Sequence, residues 1–291
     1  MIVVLGSINL DICLSVANLP QPGETISATG RQLFAGGKGA NQALAARRAG
    51  AEVAFVGAVG RDAGAEVALA HLRAAGVDLS ALEEVETPTG TAMILVEASG
   101  ENLIVVEGGA NRALSEASVA VAVDRARGGT LVLQQEIDDA LTELALQTAR
   151  AQGVRSVLNL SPFGARSGPL SQLADVLITN EGEWEALQAW ASAKGLAANW
   201  WRSKVVLVTR GSAGVYVFSP EGDLSLPAPV IQPVDTVGAG DTFCGYLVAA
   251  LTEMELPEAV ALAIRAASLA CLRPGAQPAI PTRQEVARHG A

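Results

Sequence analysis

Histidine, lysine and cysteine are all scarce in this chain, with two, three and three residues in 291. His71 and His289 leave imidazole-based catalysis little to draw on. Cys13, Cys244 and Cys271 are odd in number and far apart, with no CxxC pair and no Cys/His cluster. That pattern excludes a disulfide framework and a zinc site and points to reduced thiols. Long hydrophobic runs are missing too: the longest, Phe243–Thr252, is about half of what a bilayer span needs. The opening MIVVLGSINLD has no basic segment, and its apolar run is too short for a secretory signal. The expectation is a soluble, cytoplasmic protein that engages no membrane. Positive charge is short as well, and a net charge of −10 excludes a generic nucleic-acid partner. It does not exclude a small anion, which backbone amides bind whatever the overall charge.

Several nucleotide signatures are likewise absent. A Walker A loop needs GxxxxGK[ST], but Gln32 stands where its first glycine belongs and Gly39 follows Lys38. There is no HRD or DFG set, so the chain is not a protein kinase. Only Gly6 follows the first apolar run, which disfavours a dinucleotide-binding GxGxxG turn.

What remains is globular: 50% of residues are apolar, 17% are charged, and the length suits one large α/β domain or two smaller ones. Apolar, β-branched runs at 2–5, 53–59, 130–133, 156–160, 175–179 and 204–209 read as buried strands. Helical patterns alternate with them, and three (41–49, 64–75 and 140–152) are closed by Gly50, Gly76 and Gly153. The expected fold class is α/β: a doubly wound, mostly parallel sheet with helices on both faces. No linker or internal repeat divides it, so residues 1–291 form one domain. Two segments break the rhythm. Residues 12–34 and 90–107 alternate polar and apolar at period two and turn at Pro20–Pro22–Gly23 and Ser99–Gly100. They read as inserted hairpins, either decorative or forming a small β-sheet lid over the carboxyl ends of the parallel strands.

Three stretches carry candidate chemistry. In VDTVGAGDTFCGYLVAAL (234–251), the small residues Gly238, Ala239 and Gly240 precede a helix over roughly 240–252, whose free amides and partial positive charge favour a phosphate. Asp241 at that point either caps the helix or takes a proton from a substrate hydroxyl. In FAGGKGANQALAARRAG (34–50), Gly36, Gly37 and Gly39 form a turn before another helix. Lys38 there is either a solvated loop lysine or a ligand contact, and Asn41 can offer its amide to a polyol. In GSINLD (6–11), Asn9 and Asp11 sit where the first strand ends, either as an Asx turn or as an amide–carboxylate pair suited to vicinal hydroxyls.

Together these blocks resemble the PfkB-type carbohydrate kinases, and the ribokinases among them most closely. GGKGANQALAARRAG resembles the first family signature and DTVGAGDTFCGYLVAAL the second. PGET, GAEVAFVGAVGRDAG, GENLIVVEGGAN, TNEGE and GAQPAIP follow the ribokinase pattern in order. The resemblance spans about residues 3 to 281. It implies ATP-dependent phosphorylation of a sugar's primary hydroxyl, D-ribose going to D-ribose 5-phosphate, in a homodimer formed through the lid. Asp241 is then the general base, with Gly238, Ala239 and Gly240 as the anion hole. Asn9, Asp11, Gly37, Lys38, Asn41 and Glu136 match sugar contacts. Asn180, Glu183, Thr209, Gly211, Gly214 and Gly240 match positions along the nucleotide and its Mg²⁺. A monovalent cation, usually K⁺, is implied beside the anion hole, held by the Asp235 side chain and the carbonyls of Val237, Ala270, Arg273 and Gly275. The chain departs from the pattern at Ala279, where a serine hydroxyl is common, and at Ile264, where a polar residue often lies near adenine. SVLNLSP replaces the commoner NPAP. Other acceptors within the class are 2-deoxyribose, another sugar or a nucleoside. A non-catalytic sugar-binding regulator predicts loss of the base or anion hole, and both are intact.

Overall fold

The computed structural model describes residues 1–97, 99 and 101–289. The chain enters through β1 (Ile2–Leu5) and leaves at once for a separate small sheet through β2 (Asn9–Val16) and β3 (Gly30–Gly36). It returns through α1 (Lys38–Arg48), β4 (Val53–Val56), β5 (Ala58–Gly60) and α2 (Ala63–Ala75). A second excursion comprises β6 (Glu83–Val85), β7 (Gly90–Glu97) and β8 (Asn102–Glu107). Strand–helix alternation then resumes with α3 (Glu116–Arg125), β9 (Thr130–Leu133), α4 (Asp139–Ala151), β10 (Arg155–Asn159), α5 (Ser167–Ser171), β11 (Val176–Asn180), α6 (Glu181–Ala193) and β12 (Val205–Thr209). The antiparallel β13 (Val215–Phe218) and β14 (Leu224–Leu226) precede three helices, α7 (Ala239–Ala250), α8 (Leu256–Ala270) and α9 (Arg283–Arg288).

The main sheet runs β14-β13-β12-β11-β10-β9-β1-β4, parallel from β12 to β4. Its central strands are buried on both faces, which is why IVVL and TLVL read as unbroken apolar runs. One core lies beneath α1, α2, α7 and α8, the other beneath α3, α4 and α6. The run at 53–59 is not one strand. At Gly57 a Cβ would lie 2.7 Å from the Gly6 carbonyl, and the chain leaves the main sheet there so that β5 pairs with β6.

The period-two segments form a four-stranded sheet, β3-β2-β7-β8. β2 and β3 are antiparallel, as are β7 and β8, while β2 and β7 are parallel. Gly100, read with Ser99 as the second turn, lies outside the described residues. Asn9 and Asp11 occupy the first turn-proximal positions of β2, opposite Gly36 and Phe34, so they belong to the small sheet rather than to the end of β1. Among the described residues no helix is long and apolar enough to cross a membrane.

Candidate active site

The parallel strands deliver their polar ends to one edge, where open α/β sheets bind ligands. Ser7 follows β1, Gln134 and Glu136 follow β9, and Asn180 and Thr209 close β11 and β12. Two helices meet them N-terminus first. Gly37 caps α1 with φ +89°, and a Cβ there would sit 2.7 Å from the Ile8 Cα, so only glycine lets Lys38 enter the cleft at that angle. Gly238 caps α7 with φ +74°, packed against Ala276.

Lys38, Asn180, Glu183, Thr209, Gly238, Gly240 and Asp241 come from distant stretches and line one cavity of about 260 Å³. A neighbouring cavity of about 330 Å³ lies between Thr209, Gly211 and Gly214 on one side and Gly240, Phe243 and Ile264 on the other. Thr209 and Gly240 border both, so the two spaces meet at the start of α7. A Cβ on Gly240 would meet no heavy atom within 4 Å, which leaves this part of the helix terminus open. Among the described residues, the amides of Gly238, Gly240 and Asp241 have no acceptor, whereas that of Ala239 turns back onto the Thr236 carbonyl at 3.2 Å.

Asp241 does not cap its own helix. Its Oδ2 accepts from Asn41 Nδ2 at 3.0 Å and its Oδ1 from Gln42 Nε2 at 2.9 Å, both from α1. A carboxyl group meeting two amide donors is placed as the ionised acceptor. Asn41 is buried, and its remaining carboxamide oxygen has no partner, so it is free to accept from a hydroxyl. On the side of the small sheet, Asn9 Oδ1 accepts from Asn111 Nδ2 at 2.8 Å, and Asn111 also brackets the Ile8 backbone, at 3.0 Å to its N–H and 3.1 Å to its carbonyl. The Asp11 carboxylate rests on Gly36, where a Cβ would come within 2.2 Å. Burial, with the nearby charges of Glu136 and Asp241, pushes its pKa up to about 7. Glu136 accepts from Ser7 Oγ at 2.6 Å and from the Lys38 amide at 3.0 Å. Burial by itself lowers the Lys38 pKa, but attraction to Asp241, Glu136 and Glu183 outweighs it and holds the ammonium protonated.

Asn180 and Glu183 form a capping box at the start of α6. Asn180 Oδ1 accepts from the Glu183 amide at 2.8 Å, and a Glu183 oxygen accepts from the Asn180 amide at 2.9 Å. Among the described residues no group of three or more His, Cys, Asp or Glu is placed to hold a metal. Behind the start of α7, Asp235 joins two loops, one oxygen accepting from Val237 N at 3.0 Å and the other from Gly275 N at 2.8 Å. This draws the Val237 and Gly275 backbones to one carboxylate. Both Asp235 oxygens are thus taken by backbone N–H groups, and Ala279 is buried and adds no oxygen.

Gln42, Gln134, Asn111 and Ser7 were not read as site residues from the sequence. Gln134 and Ser7 lie just past apolar strands and Gln42 adjoins Asn41, whereas Asn111 carried no such signal; all four are buried and bonded here. The sequence matches the pfkB family carbohydrate kinase over residues 1–283. The ribokinase of Haemophilus influenzae is 38% identical, covering 97% of this chain and 95% of its own length. That of Staphylococcus aureus is 36% identical over 98% of both. Among solved structures, ribokinase from Thermotoga maritima superposes with a TM-score of 0.89 at 31% identity, covering 99% of this chain and 98% of its own. Arabidopsis thaliana ribokinase complexed with ribose and ATP does so at 0.85 and 32%, covering 99% and 97%. With a cleft of this composition and relatives matched along nearly the whole chain, the protein belongs to the pfkB family of carbohydrate kinases.

Proposed function

We propose that the chain phosphorylates D-ribose on its 5-hydroxyl with ATP. Asp241 is the general base: it takes the hydroxyl proton as the sugar oxygen bonds to the γ-phosphorus and the bond to the ADP oxygen breaks. The observation that carries this reading is an acceptor-only Asp241 carboxylate beside the open amides of Gly238 and Gly240, at the junction of two cavities. Those amides and the α7 terminus stabilise the transferring phosphoryl group, joined by Ala239 once its bond to Thr236 is exchanged. Asn9, Asp11, Gly37, Lys38, Asn41 and Glu136 hold the sugar, and Lys38 also balances phosphate charge. Thr209, Gly211 and Gly214 flank the nucleotide. Mg²⁺ supplies charge neutralisation on the phosphates, with Asn180 and Glu183 on its water shell. A monovalent cation at Asp235, Val237, Ala270, Arg273 and Gly275 firms the anion hole.

The exposed apolar side chains of the lid, Leu33, Met93, Leu103, Ile104, Val105 and Val106, support a homodimer through that sheet, and the protein works in the cytoplasm. The test is turnover on ribose, 2-deoxyribose, fructose, adenosine and pseudouridine with ATP-Mg²⁺, with and without K⁺. Ribose should give the highest kcat/KM. Negligible turnover on every acceptor rules the reading out.

A further inference from the structure

The proposed chemistry uses Asp241 and Asn41 but leaves a buried file of side chains behind them unused. Gln42, fully buried on α1, donates Nε2 to Asp241 Oδ1 at 2.9 Å. Its Oε1 accepts from Gln134 Nε2 at 2.8 Å and from the Cys244 thiol at 3.4 Å. Gln134, at the end of β9, is 1% exposed, and its own Oε1 has no partner. That oxygen lies against Gly6, where a Cβ would come within 1.9 Å of it.

The direction of this file is forced. An ionised carboxylate only accepts, so Gln42 must turn Nε2 toward Asp241 and Oε1 away from it. Gln134 must then present Nε2, which strands its oxygen without a donor. An orphaned buried acceptor is costly. The arrangement persists because flipping Gln134 would set two carboxamide oxygens against each other. Asn41 is the partner at the edge of the cleft, whereas Gln42 meets Asp241 from the fully buried side.

We infer that Gln42 and Gln134 are positioning residues for phosphoryl transfer: a one-way carboxamide file that holds Oδ1 from the buried side and fixes the Asp241 rotamer, so that Oδ2, met by Asn41, keeps its second lone pair for the substrate proton. This rests on the reading of Asp241 as base. Lys38 on α1, Asp11 on β2, Glu136 beyond β9, Glu183 on α6 and Cys244 on α7 are the titratable groups facing the cluster.

The experiment compares Gln134→Met, which touches neither Asp241 nor a substrate, with Gln42→Met and Gln134→Glu. Steady-state kinetics are read across pH, all in an Asp11→Asn background so that Asp11 does not supply the acid limb. The expected result is a kcat loss of about tenfold or more in each variant, with KM for sugar and ATP within about twofold. The pH profile of kcat should change in Gln42→Met relative to the parent, because a donor to the carboxylate is lost. Ionised Glu at 134 presents acceptors to Gln42 Oε1 and should cost more than Met. A kcat and pH profile equal to those of the Asp11→Asn parent in the folded variants overturn the inference. If that result accompanies an inactive Asp241→Asn, the base reading stands and only the file falls. Should the variants not fold, wild-type protein ¹⁵N-labelled at glutamine side chains decides. Side-chain amide signals that titrate in wild type and not in Asp241→Asn support the file, and pH-insensitive signals overturn it.

Discussion

Gly240→Ala separates the chemical role of the α7 terminus from its structural one. Gly240 is the second residue of the helix, its φ is not positive, and an added Cβ meets no heavy atom within 4 Å. Nothing in the fold resists the substitution. Replacing glycine by alanine at a compatible position removes freedom from the unfolded chain and stabilises by about 0.4–1 kcal/mol. For a domain of this size that is a Tm rise of about 1–2 °C. The open space is the junction of the two cavities, where a phosphoryl group must approach the amide. A methyl group there holds that group off its donor, and losing one such donor costs on the order of 10²–10³ in kcat. Differential scanning fluorimetry and a coupled assay of ADP release measure the two effects on one preparation. A variant with wild-type turnover, or one whose Tm falls by several degrees, refutes the reasoning.

Asp241→Asn should lower kcat by about 10²–10⁴-fold with a modest loss of sugar affinity, read by ADP release and calorimetry. It should also destabilise by about 1–3 kcal/mol in denaturant melts, because one amide donor of Asn would face those of Asn41 and Gln42. The ligand-free protein should be more stable near pH 5 than near pH 8 through Asp11. Its pKa of about 7 exceeds the unfolded value of 3.8, so the folded state holds the extra proton, and the stabilisation is lost as pH rises through 7. Asp11→Asn should flatten that part of the Tm–pH curve, and an unchanged curve would remove Asp11 as the cause. The larger cavity offers side-chain hydroxyls of Thr209, Ser212, Thr236 and Ser268 but no carboxamide, imidazole or charge, with Ile264 against it. A pocket that reads a base mainly by shape discriminates weakly, so kcat/KM for ATP and GTP should agree within about 10²-fold. A preference of 10⁴ for either would contradict this.

The residue string by itself determined the elements whose causes are local. Continuous apolar runs made the central strands, and Gly50, Gly76 and Gly153 ended the helices before them at positive φ. The small sheet was legible as period-two segments because one of its faces is exposed. The glycine-rich approaches to α1 and α7 were legible because short side chains at a helix start leave amides free. Tertiary structure decided the pairings. β2 lies parallel to β7, with Asn9 opposite Gly90, so the two segments make one small sheet and Asn9 and Asp11 belong to it. Asp241 could be read as a cap or as a base until α1 arrived from 200 residues away and occupied both its oxygens. Gln42 and Gln134 looked like ordinary polar residues because their meaning is a direction of hydrogen bonding, which exists only between buried partners. Local sequence sets backbone preference over a few residues, whereas the hydrogen bonding and orientation of Asp241 are set by whichever donors the fold brings against it.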